Sequence, residues 1–156
     1  MKYFFVLLVT LFWMAESHAA QMPDRDYVRR HFASAPKDKA LCQSLINALE
    51  QQQHDPVSLA YLGALQTIRA SHVLNPLSKL QTFEQGRNHL EQAVRKAPQN
   101  PEIRLIRLSV QQNAPRFLGY HRQIAEDEKF VRAHISGVGS PVLNDMAGHL
   151  LAQKTR

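Results

Sequence analysis

Residues 55–98 read DPVSLAYLGALQTIRASHVLNPLSKLQTFEQGRNHLEQAVRKAP, and they give the strongest indication of the fold. Asp55-Pro56 is a helix-start signal, because Asp can cap the first free amides and Pro fits the first helical position. Apolar residues then recur at spacings of three and four, the period of an amphipathic helix. Asn75-Pro76 breaks the pattern, which resumes from Leu80 to Ala97. The stretch therefore predicts two helices joined by a short turn.

Small residues interrupt the apolar pattern of both helices. Gly63 lies in the first helix, and Gly86 and Ala93 lie in the second. At facing positions, these residues would let two antiparallel helices approach closely, since no large side chain keeps the backbones apart. Pro98 would then turn the chain into the next unit. We therefore predict a tightly packed helical hairpin.

The rest of the chain also follows the helical period. Asn100-Pro101 repeats the start signal of Asp55-Pro56 45 residues later, which is typical of stacked helical hairpins. Strand signals such as β-branched alternation or Asn-Gly turns are absent. We expect an all-α chain of six to seven helices, with residues 136–139 as a flexible linker. Beyond residues 55–98, the predicted helices are a short one after Pro23 that ends by Pro36, then about 38–52, 101–113, 118–135 and 141–153.

The first twenty residues have the layout of a secretory signal. Lys2 precedes an apolar run from Tyr3 to Ala15, and Ser17-His18-Ala19 offers small residues for cleavage. An uncleaved anchor is the alternative, but the run is shorter than a membrane span requires. We predict a signal peptide over 1–19 and one domain over 20–156, with terminal helices 23–52 and 141–153 packing on a 56–135 core. The product would be periplasmic or secreted, and soluble without a stable membrane span.

Composition narrows the possible partners. The formal net charge of +6 is unchanged by the predicted cleavage, which removes Lys2 and Glu16. The cations are spread along the chain rather than interleaved with aromatics, so we expect no nucleic-acid binding. Cys42 is the only cysteine and cannot form an internal disulfide. It lies in an apolar helical pattern, which predicts a buried, inert thiol.

The hairpin partly follows the tetratricopeptide pattern. Leu59, Leu62 and Gly63 match its first helix, although Gln66 stands where an aromatic is expected. Gly86, Leu90, Ala93 and Pro98 match the second helix, but the two glycines are farther apart than in the standard unit. The sequence thus predicts about one and a half units rather than an array, with terminal helices closing a small globule.

A wider resemblance extends from Ala60 to Val131. It rests on these segments: Ala60–Ala64, Asn75–Leu80, Phe83–Gly86, Leu90–Val94, Pro98–Arg107, and above all Gln111–Tyr120 with Ile124, Asp127 and Lys129. In these segments the chain resembles a group of short, exported, uncharacterised bacterial proteins with a tetratricopeptide-like core. The resemblance implies the fold and brings no activity with it.

Two features are candidates for binding. Arg104 and Arg107 lie three apart on an otherwise apolar helix, where Arg needs a partner. They either face solvent or pair with a carboxylate such as Glu84, Glu91 or Asp127, or they form a clamp for an external carboxylate or phosphate. Pro115–Tyr120 is a rigid turn with two aromatics, which either packs into the core or forms a partner-binding hot spot. The candidate binding residues are Lys79, Arg104, Arg107, Arg116 and Tyr120.

Catalytic and metal-binding patterns are missing from the sequence. No two histidines stand at the i, i+4 spacing of a helical zinc site, and no nucleophile motif surrounds Cys42. We predict no catalytic residue, no metal ligand and no cofactor. The leading hypothesis is an exported, non-enzymatic interaction module of the bacterial envelope, whose concave groove receives an unknown protein or peptide partner. The alternative is a periplasmic protein that binds a small anionic ligand or assists an enzyme.

Overall fold

The computed structural model describes residues 24–52 and 55–153, and the regular structure in these ranges is entirely helical. The predicted all-α class and the number of helices are confirmed. The predicted signal peptide over 1–19 lies outside the described residues. The helices are α1 (Arg25–Phe32), α2 (Lys39–Leu49), α3 (Pro56–Ser71), α4 (Pro76–Lys96), α5 (Pro101–Asn113), α6 (Ile124–His134) and α7 (Pro141–Ala152), with short 3₁₀ turns at Glu50–Gln52, Arg116–Leu118 and Ile135–Val138.

Asp55-Pro56 and Asn100-Pro101 begin helices as predicted. Asn75-Pro76, which was predicted only to break the pattern, also begins one, so α4 starts at Pro76 rather than at Leu80. Each Asx side chain accepts a hydrogen bond from a backbone amide of the first turn, and Pro occupies the first helical turn of α3, α4 and α5. Asp55 accepts from Ser58 N at 3.0 Å, Asn75 from Ser78 N at 3.0 Å, and Asn100 from Glu102 N at 3.0 Å. Capping of this kind satisfies amides that the helix itself leaves unpaired.

Helix α3 is the centre of the domain. It packs against α1, α2, α4 and α5, and every residue from Val57 to Thr67 is buried. The single apolar stripe predicted for this helix is therefore too narrow. A helix that neighbours surround on several sides must be apolar or hydrogen-bonded around its circumference, and the period of one face does not reveal this.

Helices α3 and α4 form an antiparallel hairpin with almost no space between their backbones. A Cβ atom added to Gly63 would lie 2.6 Å from the carbonyl oxygen of Gly86 and 2.7 Å from the amide nitrogen of Leu90. A Cβ atom added to Gly86 would lie 2.7 Å from the amide nitrogen of Thr67. The close approach predicted from Gly63, Gly86 and Ala93 is confirmed, and Ala93 is fully buried in the same core.

A second, smaller apolar cluster joins the last helices to α5. Helix α7 contacts α5, α6 and also α1, so the two ends of the described chain meet. Among the described helices, none combines the length and the apolar character that crossing a membrane requires. The buried members of the smaller cluster are Leu105, Val131, Ile135, Leu143, Ala147 and Leu150.

The prediction of one helix over 118–135 is wrong at its beginning. Gly119 has a φ of 68° and ends the short 3₁₀ turn Arg116–Leu118, and α6 begins only at Ile124. A left-handed residue cannot continue a right-handed helix, so the apolar period across this segment is misleading. The predicted linker at 136–139 is also more ordered than expected, because Ile135–Val138 form a 3₁₀ turn.

Candidate functional site

Helix α5 carries a buried polar face as well as a buried apolar one. Ile103 and Ile106 belong to the main core. Arg104, Arg107 and Gln111 follow one another at spacings of three and four, which places them on one face of the helix. All three are buried. Because buried polar groups need partners, this face is where a functional site would be built.

Arg107 forms a two-pronged ion pair with Asp127 of α6. Its Nε and Nη2 donate to the two carboxylate oxygens at 2.7 and 2.8 Å, and Asp127 is completely buried. Its Nη1 also donates to Glu91 of α4 at 3.3 Å. Burial opposes the charge of Arg107, but the hydrogen bonds and charges of Asp127 and Glu91 raise its pKa above the ordinary value. The guanidinium thus joins three helices.

Arg104 shares the same carboxylate. Its Nε lies 2.6 Å from Asp127 Oδ1, outside hydrogen-bond alignment, and its Nη2 donates to the exposed Glu126. The guanidinium carbon also lies 5.0 Å from the ring centroid of Phe130, a cation–π contact. Both arginines are therefore held by groups of α6.

Of the three carboxylates considered as partners for the two arginines, two are in contact with them. Pairing with Glu91 and Asp127 is the arrangement in the structure, whereas Glu84 pairs with Arg87 at 2.5 Å instead. A clamp of Arg104 and Arg107 on an external anion stays a prediction. It would require a ligand to displace the buried carboxylate of Asp127.

Tyr120 belongs to the same cluster. Its hydroxyl donates to Glu91 Oε1 at 2.5 Å, and its ring meets Phe83 edge to face with a centroid distance of 6.2 Å. Burial, reinforced by the neighbouring Glu91, raises the pKa of Tyr120 far above its usual value. Tyr120 therefore fastens the segment after α5 to helix α4.

Lys79 and Arg116 lie apart from this cluster, and both are exposed. Lys79 precedes Glu91 on α4 by about 18 Å, given the rise of an α-helix. Arg116 begins the short 3₁₀ turn and lines a cavity together with Gln111. The structure thus brings Arg104, Arg107 and Tyr120 together and leaves the other two candidates elsewhere.

A second buried ion pair was not anticipated from the sequence. Arg29 of α1 donates to both carboxylate oxygens of Glu102, at 2.8 and 2.6 Å, and the hydroxyl of Tyr61 donates to the same carboxylate at 2.9 Å. The hydrogen bonds to Glu102 and Asp26 raise the pKa of Arg29. Glu102 stands in the first turn of α5, where an acid needs no further explanation, and its partner is 73 residues away.

A cavity of about 970 Å³ beside the last turn of α5 was not predicted from the sequence. Its floor includes Gln111, which is 2% exposed and whose amide nitrogen and oxygen both have no hydrogen-bond partner. One available signal was that Gln111 continues the polar face begun by Arg104 and Arg107. Its walls include Gln112, Arg116, His121, Arg122 and Glu128.

The far end of the hairpin exposes large apolar side chains. Leu74 lies in the turn between α3 and α4 and is 97% exposed, while Leu77 and Leu80 in the first turns of α4 are 65% and 44% exposed. Lys79 stands between these two leucines. We call these four residues the hairpin tip.

The part of the chain that the structure describes has neither an exposed thiol nor a group of metal ligands. Cys42 is completely buried, and burial raises the pKa of its thiol, as expected for an inert cysteine. Within residues 24–52 and 55–153, no three His, Cys, Asp or Glu side chains are grouped to hold a metal ion. His54 lies outside these ranges.

Comparison of the chain with protein-family models, curated proteins and solved structures finds no match.

Proposed function

We propose that the protein is an exported, non-enzymatic interaction module of the bacterial envelope that binds a hydrophobic segment of a partner protein through the hairpin tip. Export rests on the signal-like layout of residues 1–20. The observation that supports this binding surface is the exposure of Leu74, Leu77 and Leu80, which lie within seven consecutive residues at the turn between α3 and α4. Clustered exposed leucines favour a binding surface, since isolated ones are common but groups are not.

The tip is a better candidate than the paired arginines. Arg104 and Arg107 are buried and already hold carboxylates of this chain, so their use would cost the energy of breaking those pairs. The leucines have no such partners to lose, and covering them removes apolar surface from water. Their position beyond the last buried turn of α3 also lets a partner approach without rearranging the core.

A further large apolar side chain is exposed in the turn after α5. Phe117 is 86% exposed. It precedes Tyr120 by three residues, and the ring of Tyr120 packs on Phe83, one turn beyond Leu80. This arrangement supports the hypothesis that Pro115–Tyr120 contributes to partner binding, with Tyr120 as the anchor of the turn and Phe117 as the contact.

The charge at the tip indicates the chemistry of the partner. Lys79 lies between Leu77 and Leu80, and the first turn of α4 carries no acidic residue. The nearest acid along the helix, Glu84, is paired with Arg87. A complementary segment would therefore present apolar side chains together with an aspartate or glutamate opposite Lys79.

The proposal is tested by comparing proteins that are cross-linked in the producing bacterium to wild type and to a Leu74→Ser/Leu77→Ser variant. The matched control is Gln81→Ser/Gln85→Ser, which changes two exposed polar residues of the same helix. We expect the leucine variant to lose the partner by roughly tenfold or more, as for hot-spot residues, while the control retains it. Equal recovery by all three folded proteins would refute the tip as the binding surface.

A further inference from the structure

The cavity beside α5 is placed where several parts of the chain converge. It lies between the end of α5, residues 114–123, the beginning of α6 and Gln153 after α7. Its volume of about 970 Å³ is within the range of small-molecule sites. Arg116, His121 and Arg122 are exposed at its rim, so a solute can reach it.

The floor of this cavity holds polar atoms that lack partners. Gln111 offers one donor group and one acceptor, both unpaired, although the residue is almost completely buried. Gln112 donates to Glu128 Oε1 at 3.2 Å and to Leu150 O at 3.4 Å, and its own amide oxygen is buried without a partner. Buried, unpaired amides are costly. A ligand amide, with one N–H and one C=O, has the complementary groups.

The rim and the adjoining helix end favour a negative charge. Of the charged residues that line the cavity, Arg116 and Arg122 are basic and Glu128 is acidic. Ile124, the first residue of α6, also lines the cavity, and Gln123 before it provides no side-chain cap. The amides at this helix end add a positive potential. Together with Arg122 at the rim, these amides favour a carboxylate.

We infer that this cavity binds a carboxylate with a neighbouring amide, the group that an N-acyl amino acid carries. Gln111 pairs with the ligand amide, and Arg122 holds the carboxylate. The same group occurs on free small molecules and at the C-terminus of every peptide. This site uses none of the residues of the hairpin tip. A negative result for ligand binding in the cavity would therefore leave the proposed partner binding at the tip unaffected.

The test is a titration of the full chain with small probes, in which binding is detected by changes in backbone amide NMR chemical shifts. N-acetylglycine supplies both groups, N-acetylglycine N-methylamide lacks the carboxylate, and inorganic phosphate lacks the amide. We expect saturable shifts around Gln111 and Arg122 with N-acetylglycine, and binding weaker by roughly tenfold or more with the other two probes. The inference is overturned if no saturable shift occurs, or if the N-methylamide binds as tightly as the acid.

Two variants separate binding from folding. Arg122→Gln changes an exposed residue, so it should fold normally and weaken N-acetylglycine binding about tenfold. Gln111→Met should weaken binding similarly and also raise the unfolding midpoint of the unliganded protein, because it removes the unpaired amide. The control, Arg132→Gln, changes an exposed arginine in the last turn of α6 outside the cavity. Affinities that are the same in all three variants would contradict the assignment.

A further titration identifies the source of the ligand group. Two longer peptides with the same sequence, one with a free C-terminal carboxylate and one amidated, are compared with N-acetylglycine. If the free-carboxylate peptide binds more tightly than N-acetylglycine, the site is assigned to the C-terminus of a protein. If that peptide and N-acetylglycine bind with equal affinity, the site is assigned to a small molecule. Binding of both peptides with equal affinity would overturn the role of the carboxylate.

Discussion

Gly63 and Gly86 face each other across the α3–α4 hairpin, with their backbones in contact. A Cβ atom at Gly63 would meet the carbonyl oxygen of Gly86 at 2.6 Å, a distance that packed carbon and oxygen atoms do not reach. The neighbouring atoms are backbone, which cannot rotate away. The central helix of the domain is therefore held at a separation that permits no side chain at this position.

Gly63→Ala is expected to destabilise the protein. The added methyl must push α4 away from α3, and overpacking of this kind costs about 1–3 kcal/mol. The matched control is Gly148→Ala in α7, where a Cβ atom would meet nothing within 4 Å. That change should stabilise the protein by about 0.5–1 kcal/mol, since alanine is the better helix former. Urea unfolding gives the change in the free energy of unfolding for each variant. If both variants lose stability, or if neither does, the packing of α3 against α4 described above is contradicted.

The hairpin was predictable because its signals are local. Asp55-Pro56 and Asn100-Pro101 determine where helices begin. Gly63 and Gly86 indicate that the two helices of the hairpin approach closely, and this can be read without knowing where the other helices lie. By contrast, the burial of α3 on all sides depends on four neighbouring helices, which no single stretch of sequence specifies.

The contents of the candidate site were only partly predictable. The sequence showed that Arg104 and Arg107 needed partners and included Asp127 among the candidates. It did not show that one buried carboxylate serves both arginines, because that depends on how α6 lies across α5. Glu102 was missed for the same reason, since its partner Arg29 is far away in the chain.

Asp127→Asn is expected to be among the most damaging changes in the chain. It leaves the guanidinium groups of Arg104 and Arg107 buried without their shared counter-charge, and such a loss costs about 3–5 kcal/mol. Glu126→Gln is the control, because Glu126 also binds Arg104 but its side chain is 64% exposed. Its loss should cost less than about 1 kcal/mol. Chemical denaturation measures the free energy of unfolding of both variants. Equal losses for Asp127→Asn and Glu126→Gln would show that burial does not determine how much this cluster stabilises the protein.

His89 should contribute to the pH dependence of stability. Its Nδ1 lies 2.8 Å from Gln66 Oε1, and burial lowers its pKa below the ordinary value. The folded state then binds the proton less readily than the unfolded state, so stability is complete above about pH 6.5 and falls as the pH drops toward the folded pKa.

This contribution of His89 is measured as the change in unfolding midpoint between about pH 7.5 and about pH 5.5. His89→Asn should reduce that change, whereas Asn88→Ala, at the exposed neighbouring position of α4, should leave it as in wild type. A pH dependence unaltered by His89→Asn would argue against a depressed pKa in the folded protein.

Cys42 should resist thiol reagents as long as the protein is folded. The residue is completely buried, its Sγ lies 3.5 Å from the carbonyl oxygen of Leu65, and burial raises the pKa of the thiol. Modification should therefore follow unfolding. The control moves the thiol to the exposed side of the same helix with Cys42→Ala/Ser44→Cys, which should react in the native state. Rapid modification of the native wild type would show that α2 is not packed as described.

Contact between the hairpin tip and a partner protein can be detected with a photo-cross-linking amino acid placed at position 77 in the producing bacterium. The same amino acid at position 85 is the control, since Leu77 and Gln85 are both exposed on α4 about two turns apart. If the hairpin tip binds a partner, we expect a discrete adduct with one envelope protein from position 77 and none from position 85. No adduct at position 77, or the same adducts from both positions, would contradict it.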